Sequence, residues 1–341
     1  MQTFRRRMSI DEMIERMRIT AVLRTYYDLQ ETRISVENRV NTREFIFCET
    51  CGIMYPKPKR GRALIRWDGK TCLICGEKTI HIIEIEPNPI LEETYKDLLK
   101  REKSLIPVMY EQIKDHPLWF NYLAHIQGIG VVLGTFLITY LHPARFRTVS
   151  SMWKYCGLHV EFYCPNCKFV YQFGKPGIHE RCPKCGTLLI VRAPKRKKGE
   201  KVEWNPFARA MCWRIGETFA KTGKFYKALY YEFKQRIKAK KPDITPKHLR
   251  EDAKRRVVKV FLAHYWEYGR EILGLPTRRP YPIIKGLDSY IPPVLDKKNP
   301  DEVKTDERMK ALLMKHGISM NEYLKLWDWF REMEIKVKPA K

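Results

Sequence analysis

The stretch HIQGIGVVLG (residues 125–134) places two glycines around one isoleucine and continues into an apolar run. The pattern fits four structures: a tight turn between helices, a piece of buried core, a nucleotide-binding loop or the start of a membrane span. The surrounding residues distinguish between them, and the outcome sets the predicted fold of the whole chain.

Two of the four structures are excluded by the residues around the glycines. A dinucleotide loop, G-x-G-x-x-G, needs a glycine at position 133, which is leucine. The preceding PLWFNYLAHI (117–126) has the apolar spacing of a helix, whereas such a loop follows a strand. The longest apolar run, 128–141, has 14 residues, whereas a membrane helix needs about 20.

The remaining pattern is a helix over 118–126, a glycine turn and a second helix over 131–141. Gly128 and Gly130 allow backbone angles that larger residues resist. The N–H groups at the start of the second helix are suited to holding a phosphate. We therefore predict a helix-hairpin-helix that contacts DNA through Gln127, Gly128 and Gly130. The alternative is a turn between two helices that binds no ligand.

The charge of the chain supports a polyanionic partner. Sixty-five Lys and Arg residues against 39 Asp and Glu residues give a net charge of +26, and nucleic acid is the commonest partner of such chains. The basic residues cluster at 5–7, 57–66, 192–201, 234–241 and 254–256. The predicted DNA contacts beyond the hairpin are Arg145, Arg147, Arg192, Lys195, Arg196, Lys197 and Lys198. The alternative is a basic solvated surface.

Eight of the ten cysteines form four C-x-x-C knuckles, which are Cys48/Cys51, Cys72/Cys75, Cys164/Cys167 and Cys182/Cys185. Twenty residues separate the first two knuckles and 14 separate the last two. Two such turns complete a tetrahedral site of four thiolates, which leaves no position open for water. The spacing predicts two structural Zn²⁺ ions. Cys156 and Cys212 remain, and we expect them to be buried structural thiols.

Strand-like residues flank each pair of knuckles, so the sequence predicts β zinc ribbons at 44–86 and 161–192. Helical periodicity at 8–43 and 87–115 predicts a coiled-coil arm that carries the first ribbon. Such an arm is a candidate surface for forming a homodimer. The alternative is that both helices pack only on the body. The predicted fold class is mainly α with two small β zinc ribbons, in which a helical-hairpin arm joins a helical body that contains the helix-hairpin-helix.

The rest of the chain is assigned to three further segments. These are the helix-hairpin-helix segment at 116–160, a basic linker and helical body at 193–275, and a Pro-rich extension with a C-terminal helical pair at 276–341. The predicted helices in the last two segments span 205–240, 245–273, 301–316 and 320–335, and 274–300 is predicted to be extended. Ser319 and Glu322 predict a capping box for the last helix.

The block LAHIQGIGVVLGTFLITYLHPARFRTVSSMWKYCGL (123–158) resembles the C-terminal domain of insertion-sequence transposases of the bridge-RNA-guided type. The resemblance rests on the glycine hairpin, the RF element at 145–146 and the Y-x-GL element at 155–158. Weaker likeness extends to 205–234, to 253–272 and to the arm helices at 19–43 and 90–114. The resemblance implies a protein of mobile elements that holds nucleic acid.

Two departures from that family bear on catalysis. About 18 residues precede the arm, so we expect the family's RuvC-like acidic nuclease domain to be absent. The second ribbon stands where the family places its nucleophilic serine, and no serine occurs between Met152 and Asp288. No catalytic residue is predicted, and Ser150 and Ser151 are expected to cap a helix.

These observations predict a non-catalytic, zinc-containing DNA-binding protein that grips duplex, junction or bent DNA. The alternatives are an active recombinase or nuclease with a displaced or trans-supplied active site, and an RNA-binding protein. The N-terminus lacks the apolar core of a signal peptide, which predicts a cytoplasmic, nucleoid-associated protein. The abundance of Lys and Glu and the two predicted zinc ribbons indicate that the protein comes from a mobile element of a thermophilic archaeon.

Overall fold

The computed structural model describes residues 10–41, 43–57, 70–78, 80–172, 180–195, 199, 201–284 and 290–337. Within these ranges the chain is mainly helical and has two small three-stranded antiparallel sheets, each beside four cysteines. The predicted fold class is therefore confirmed. The chain divides into two compact units, which are Thr20–Met109 and the described residues outside that range.

The first unit contains most of two long helices, α1 (Ile10–Val40) and α2 (Pro89–Ile113). Two ion pairs show that these helices run antiparallel within the unit. Arg33 lies 2.5 Å from Glu102, and Arg43, just beyond the end of α1, lies 3.5 Å from Glu92. Glu102 is 5% exposed and also accepts a hydrogen bond from Gln30 at 2.8 Å. The pairing of its buried carboxylate with Arg33 therefore fixes the register of the two helices.

The two sheets have the same topology. The first consists of β1 (Glu44–Cys48), β2 (Met54–Pro56) and β3 (Ile80–Glu84), in the order β2-β1-β3. The second consists of β4 (Glu161–Tyr163), β5 (Val170–Gln172) and β6 (Ile190–Arg192), in the order β5-β4-β6. In both sheets the first strand is central and antiparallel to its two neighbours. The ribbons are thus two versions of one supersecondary structure.

The second unit is a helical body that also contains the second sheet, and ten α-helices lie wholly within its described part. They are α3 (Pro117–Asn121), α4 (Val131–Tyr140), α5 (Val149–Tyr155), α6 (Pro206–Thr222), α7 (Phe225–Lys240), α8 (Pro246–Ile272), α9 (Tyr281–Ile284), α10 (Pro300–Lys304), α11 (Glu307–His316) and α12 (Met320–Val337). No described helix has a segment long and apolar enough to cross a membrane.

Helix α8 is the centre of this body and is contacted by α5, α6, α7 and α11. The side chain of Thr245 accepts the N–H of His248, and Pro246 follows as the first helical residue. Both are the expected residues for a helix start, because Thr satisfies an open N–H and Pro has none to satisfy. The predicted start near residue 245 is therefore correct.

Buried tyrosine side chains form a hydrogen-bond network in the core of the body. The hydroxyl of Tyr226 lies 3.3 Å from that of Tyr122 and 2.9 Å from Nδ1 of His264. Tyr265 donates to the carbonyl of Leu137 at 3.0 Å. Burial lowers the pKa of His264 to about 3, so its ring is neutral. Because each partner has a fixed position, this network specifies how α4, α7 and α8 pack.

The helix predicted over 118–126 is wrong as a continuous element. Helix α3 ends at Asn121, and a separate 3-10 turn covers Leu123–His125. Tyr122 between them has φ −137° and ψ −65°, outside the helical region. Its side chain is fully buried against Tyr226, so tertiary packing overrides the local helical spacing. The second predicted helix, over 131–141, corresponds to α4.

The helix predicted over 205–240 is also divided, into α6 and α7. A Cβ at Gly223, between the two helices, would lie 2.8 Å from the carbonyl oxygen of Phe219. The N–H of Phe225 donates to the carboxylate of Asp296, at 3.1 Å. Because the N–H of Phe225 binds Asp296, it does not continue the hydrogen bonds of α6, and a new helix begins at Phe225.

The C-terminal helices differ from the prediction at two places. The segment 301–316 forms α10 and α11, because Asp306 accepts the N–H of Met309 at 3.1 Å and so starts a new helix. The segment predicted as extended contains the short α9. The capping box is confirmed, since Ser319 Oγ accepts the N–H of Glu322 and the Glu322 carboxylate accepts the N–H of Ser319.

Candidate metal centres and nucleic-acid surface

The first four predicted zinc ligands converge at one end of the first sheet. Cys48 ends β1 and lies 3.5 Å from Cys75, while Cys51 lies 3.8 Å from Cys72, measured between Sγ atoms. All four Sγ atoms lie within 4.8 Å of one another. None of them forms a disulfide. This group of four ligands is referred to below as the first cysteine cluster.

The second cysteine cluster, formed by Cys164, Cys167, Cys182 and Cys185, has the same arrangement. Its Sγ atoms are 3.4 Å apart for Cys164 and Cys185, and 3.5 Å apart for Cys167 and Cys182. A tetrahedral ion with Zn–S bonds of about 2.3 Å requires sulfurs about 3.8 Å apart. These four separations match this requirement within a few tenths of an ångström, and all sulfurs of a cluster lie within 4.8 Å of one another, so both donor sets fit a metal ion such as Zn²⁺.

Each knuckle is closed by a residue in the left-handed region. Gly52, Gly76 and Gly186 follow the second cysteine of three knuckles with φ of 66°, 79° and 70°. In the fourth knuckle the same position is Lys168, with φ 60°, the only described non-glycine residue with positive φ. All four knuckles have the same left-handed residue after the second cysteine, so the knuckle itself requires this conformation. Lys168 adopts it although its side chain makes it unfavourable.

A tyrosine supports each cluster from the second strand of its sheet. Tyr55 donates to Cys72 Sγ at 3.7 Å and accepts the N–H of Leu73. The hydroxyl of Tyr171 lies 3.3 Å from Cys182 Sγ. These two residues were not among the predicted site residues. A sequence signal was present, because each tyrosine stands seven positions after the first cysteine of its ribbon.

Hydrogen bonds favour the thiolate form at one ligand in each cluster. Backbone N–H groups of Cys75 and Ile74 lower the pKa of Cys72 to about 6. In the second cluster, hydrogen bonds from the side chain and backbone of Thr187 lower the pKa of Cys185 to about 6. The thiolate is the form that binds metal, so Cys72 and Cys185 are the ligands most readily deprotonated for a cation. Cys156 and Cys212, predicted to lie outside the clusters, are buried in the helical body.

The glycine turn has one strained and one open position. Gly128 has φ +95°, and a Cβ there would lie 3.2 Å from the Phe219 ring. Gly130 is exposed in extended backbone, at the N-cap of α4, and a Cβ there would meet nothing within 4 Å. Ile129 is 2% exposed and anchors the turn in the core. The turn therefore presents Gly130 and the start of α4 outward.

The N–H of Gln127 does not point to solvent. It donates to Oδ1 of Asp296 at 2.8 Å, and Oδ2 accepts the N–H of Phe225. Asp296 is 1% exposed, and burial raises the pKa of its carboxyl to about 7. The backbone donor predicted for a phosphate at Gln127 is thus bound by the protein's own carboxylate. Asp296 was not predicted, because its partners are distant in sequence.

The predicted basic contacts differ in their surroundings. Arg147 and Lys195 are exposed and pair with no carboxylate among the described residues. Arg145 is exposed and donates to the carbonyl of Tyr140 at 2.6 Å. Arg192 is half-buried and pairs with Glu161 at 2.8 Å, which compensates its charge. Arg196, Lys197 and Lys198 lie outside the described residues.

Tyr155 and Asn205, from two separate segments of the sequence, meet in the body. Asn205, which begins the second similar segment, donates through Nδ2 to the hydroxyl of Tyr155 at 2.8 Å and through its backbone N–H to the Tyr155 carbonyl at 2.9 Å. Its Oδ1 accepts the N–H of Ala208 and caps α6. In the sequence, the second ribbon lies between these two contacting residues.

Comparison of the chain with protein-family models, curated proteins and solved structures finds no match.

Proposed function

We propose that this chain is a zinc-containing nucleic-acid-binding protein related to the transposases of mobile elements, and that it holds nucleic acid without cutting it. The observation that carries the proposal is the net charge of +26, from 65 Lys and Arg residues against 39 Asp and Glu residues. Such an excess attracts phosphate backbones and releases their counterions on binding. DNA is the proposed ligand, and duplex, junction or bent DNA are its candidate forms.

Exposed cations on the helical body support the proposal. Arg147 precedes α5, and Lys195 follows the second sheet. Neither pairs with a carboxylate in the part of the chain that the structure describes, so each is available to a phosphate. The exposed N-terminus of α4 at Gly130 adds backbone donors that favour an anion. The two cysteine clusters would hold zinc that rigidifies the ribbons.

The non-catalytic part of the proposal rests on sequence. The serine-free interval from Met152 to Asp288 spans the place of the resembled family's nucleophile. The side chain of Ser151 instead forms a capping box with Thr148 at the start of α5. The alternative is a recombinase or nuclease with its active site elsewhere, and such an enzyme should nick supercoiled plasmid in the presence of Mg²⁺ or Mn²⁺. The nicking would have to disappear in a point variant to count as activity of this chain.

The test is a salt-titrated binding measurement on the zinc-loaded chain. Fluorescence anisotropy compares duplex DNA, a four-way junction, single-stranded DNA and single-stranded RNA of equal length. We expect the tightest binding to a DNA form, with log affinity falling linearly with log salt concentration. Tighter binding to RNA would replace DNA by RNA as the ligand. Absence of binding to every form near about 0.1 M salt would overturn the proposal.

A charge-matched pair of variants separates local contact from overall charge. Arg147→Gln removes a proposed phosphate contact and should reduce the magnitude of the salt slope by about one. Arg331→Gln, an exposed arginine on α12, removes the same charge and should leave the slope within error. Equal effects of the two substitutions would remove Arg147 from the interface.

A further inference from the structure

The helical body contains a cavity of about 580 Å³ that the proposed backbone contacts do not use. It lies between α5, α7, α8 and the residues around α9. Half-buried aromatic side chains form part of its wall, namely Trp153, Phe233 and Tyr290. Its volume is in the range that holds a small organic ligand, and its apolar wall suits a planar ring.

Four cationic side chains line the same cavity: Arg256, Lys259, Arg278 and Arg279. Arg256 pairs with Asp252 at 3.2 Å. The other three have no carboxylate partner among the described residues. The ammonium of Lys259 lies 4.1 Å from the centre of the Trp153 ring, so the aromatic face stabilises its charge. The cavity therefore offers unpaired positive charge beside aromatic surface.

The single carboxylate among the described lining residues, Glu267, is already occupied by two hydrogen-bond partners. Glu267 is 4% exposed. Its oxygens lie 2.6 Å from Nε2 of His316 and 3.0 Å from the hydroxyl of Tyr290. These two partners occupy Glu267 and also hold Tyr290 against the wall. The carboxylate is thus not available to the cationic groups, which favours an anionic ligand.

Lys259 is the most buried of the unpaired cations. Burial, with the nearby charges of Arg255 and Arg256, lowers the pKa of its ammonium to about 8. Among the described residues no carboxylate pairs with this lysine, and a bound anion would supply the counterion. This is the condition expected of a ligand site and not of a structural ion pair.

We propose that this cavity binds a nucleoside phosphate, with the phosphate among Lys259, Arg278 and Arg279 and the base against the aromatic wall. Two sources share this chemistry: a free nucleotide and the phosphorylated, unpaired end of a strand. The second source rests on the proposed function, because it requires the chain to bind nucleic acid. Arginine pairs with phosphate oxygens bidentately, and aromatic rings stack on any base.

The first measurement uses the full zinc-loaded chain and is calorimetric. Adenosine monophosphate should bind at least about tenfold more tightly than adenosine, because charge-assisted hydrogen bonds to the phosphate are worth over about 1.4 kcal/mol. Inorganic phosphate should bind more weakly than the nucleotide, because it lacks the base. Equal affinity for adenosine and its monophosphate, or no binding of either, would overturn the proposal.

Paired variants locate the site. The double variant Arg278→Gln/Arg279→Gln should weaken nucleotide binding by about tenfold or more. Lys325→Gln/Arg331→Gln removes the same two charges from exposed positions on α12 and should change it less than about twofold. Circular dichroism confirms that both variants fold. An equal loss in the two would overturn the assignment to this cavity.

A third measurement identifies the source of the ligand. A single strand with a 5′-phosphate is compared with the same strand lacking it, and a blunt duplex serves as reference. Preference for the phosphorylated end that disappears in Arg278→Gln/Arg279→Gln supports the strand end, and nucleotide binding without that preference supports the free nucleotide. If duplex binding persists while nucleotide and phosphorylated strand both fail to bind, the cavity proposal is overturned and the proposed function stands.

Discussion

The carboxylate of Asp296 accepts the backbone N–H of Gln127 at 2.8 Å, although 169 residues separate the two in sequence. The same carboxylate accepts the N–H of Phe225 at 3.1 Å. One buried side chain from the C-terminal segment thus fixes both the glycine turn and the start of α7. The turn is therefore held by long-range contacts, and its stability depends on the protonation state of Asp296.

Asp296 should give the stability of the chain a measurable pH dependence. Its pKa is about 7 in the folded state and about 3.9 in an unfolded chain. Since the folded state holds the proton more tightly, the stabilisation is complete below about pH 4 and is lost as pH rises through 7. We expect Asp296→Asn to reduce the fall in unfolding free energy between pH 4 and 8 by about 4 kcal/mol. Urea unfolding at several pH values measures this, and parallel curves for both proteins would contradict it.

Gly128 should resist substitution, whereas Gly130 should tolerate it. Gly128→Ala places a Cβ 3.2 Å from the Phe219 ring at φ +95°, and should destabilise the fold by about 2 kcal/mol. Gly130→Ala adds a Cβ to open space in extended backbone, and should change stability by less than about 1 kcal/mol. Thermal unfolding of the two variants provides the comparison. Similar losses in both would show that the turn geometry differs from that described.

Lys168 occupies a position that the other three knuckles assign to glycine. Lys168→Gly should stabilise the second ribbon by about 0.5–1 kcal/mol, because glycine adopts φ 60° without a steric penalty. Gly52→Ala should have the opposite effect on the first ribbon. Amide hydrogen exchange of peptides from each ribbon reports the local change. Faster exchange in Lys168→Gly would mean that the hydrogen bond from Lys168 to the Pro165 carbonyl outweighs the backbone strain.

The two cysteine clusters should bind two zinc ions per chain. Elemental analysis after dialysis should give two equivalents for the wild type and one each for Cys75→Ser and Cys185→Ser, because each removes a ligand from a different cluster. Cys156→Ala, which changes a buried cysteine outside both clusters, should retain two. X-ray absorption should show four sulfurs at about 2.3 Å. One zinc ion in the wild type, or loss of zinc from Cys156→Ala, would contradict this assignment.

The two supporting tyrosines should tune metal affinity. Tyr55→Phe and Tyr171→Phe remove hydroxyls that contact Cys72 and Cys182, and each should weaken zinc binding by about tenfold. Competition with a chromophoric chelator measures this affinity. Tyr163→Phe, on the central strand of the second sheet, keeps both contacts and serves as the control. If all three variants behave alike, the tyrosines have a packing role only.

Local spacing was enough to predict both cysteine clusters. A C-x-x-C turn brings two sulfurs together within a few residues, and the similar lengths between knuckles leave one simple pairing for each ribbon. The supporting tyrosines follow the same local logic, since Tyr55 and Tyr171 stand at the same offset from their cysteines. The two strand-flanked ribbons and the predominance of helix were therefore readable from sequence.

Only the tertiary structure could show what happens at the glycine turn. The helix before it breaks because the buried Tyr122 contacts Tyr226, and the Gln127 N–H is engaged because Asp296 reaches it from the C-terminal segment. The cationic cavity likewise joins Lys259 on α8 to Arg278 and Arg279 beyond its end. The sequence by itself determined the metal ligands, because their geometry is local, while contacts between distant residues decided the turn and the cavity, because they form only when the body packs.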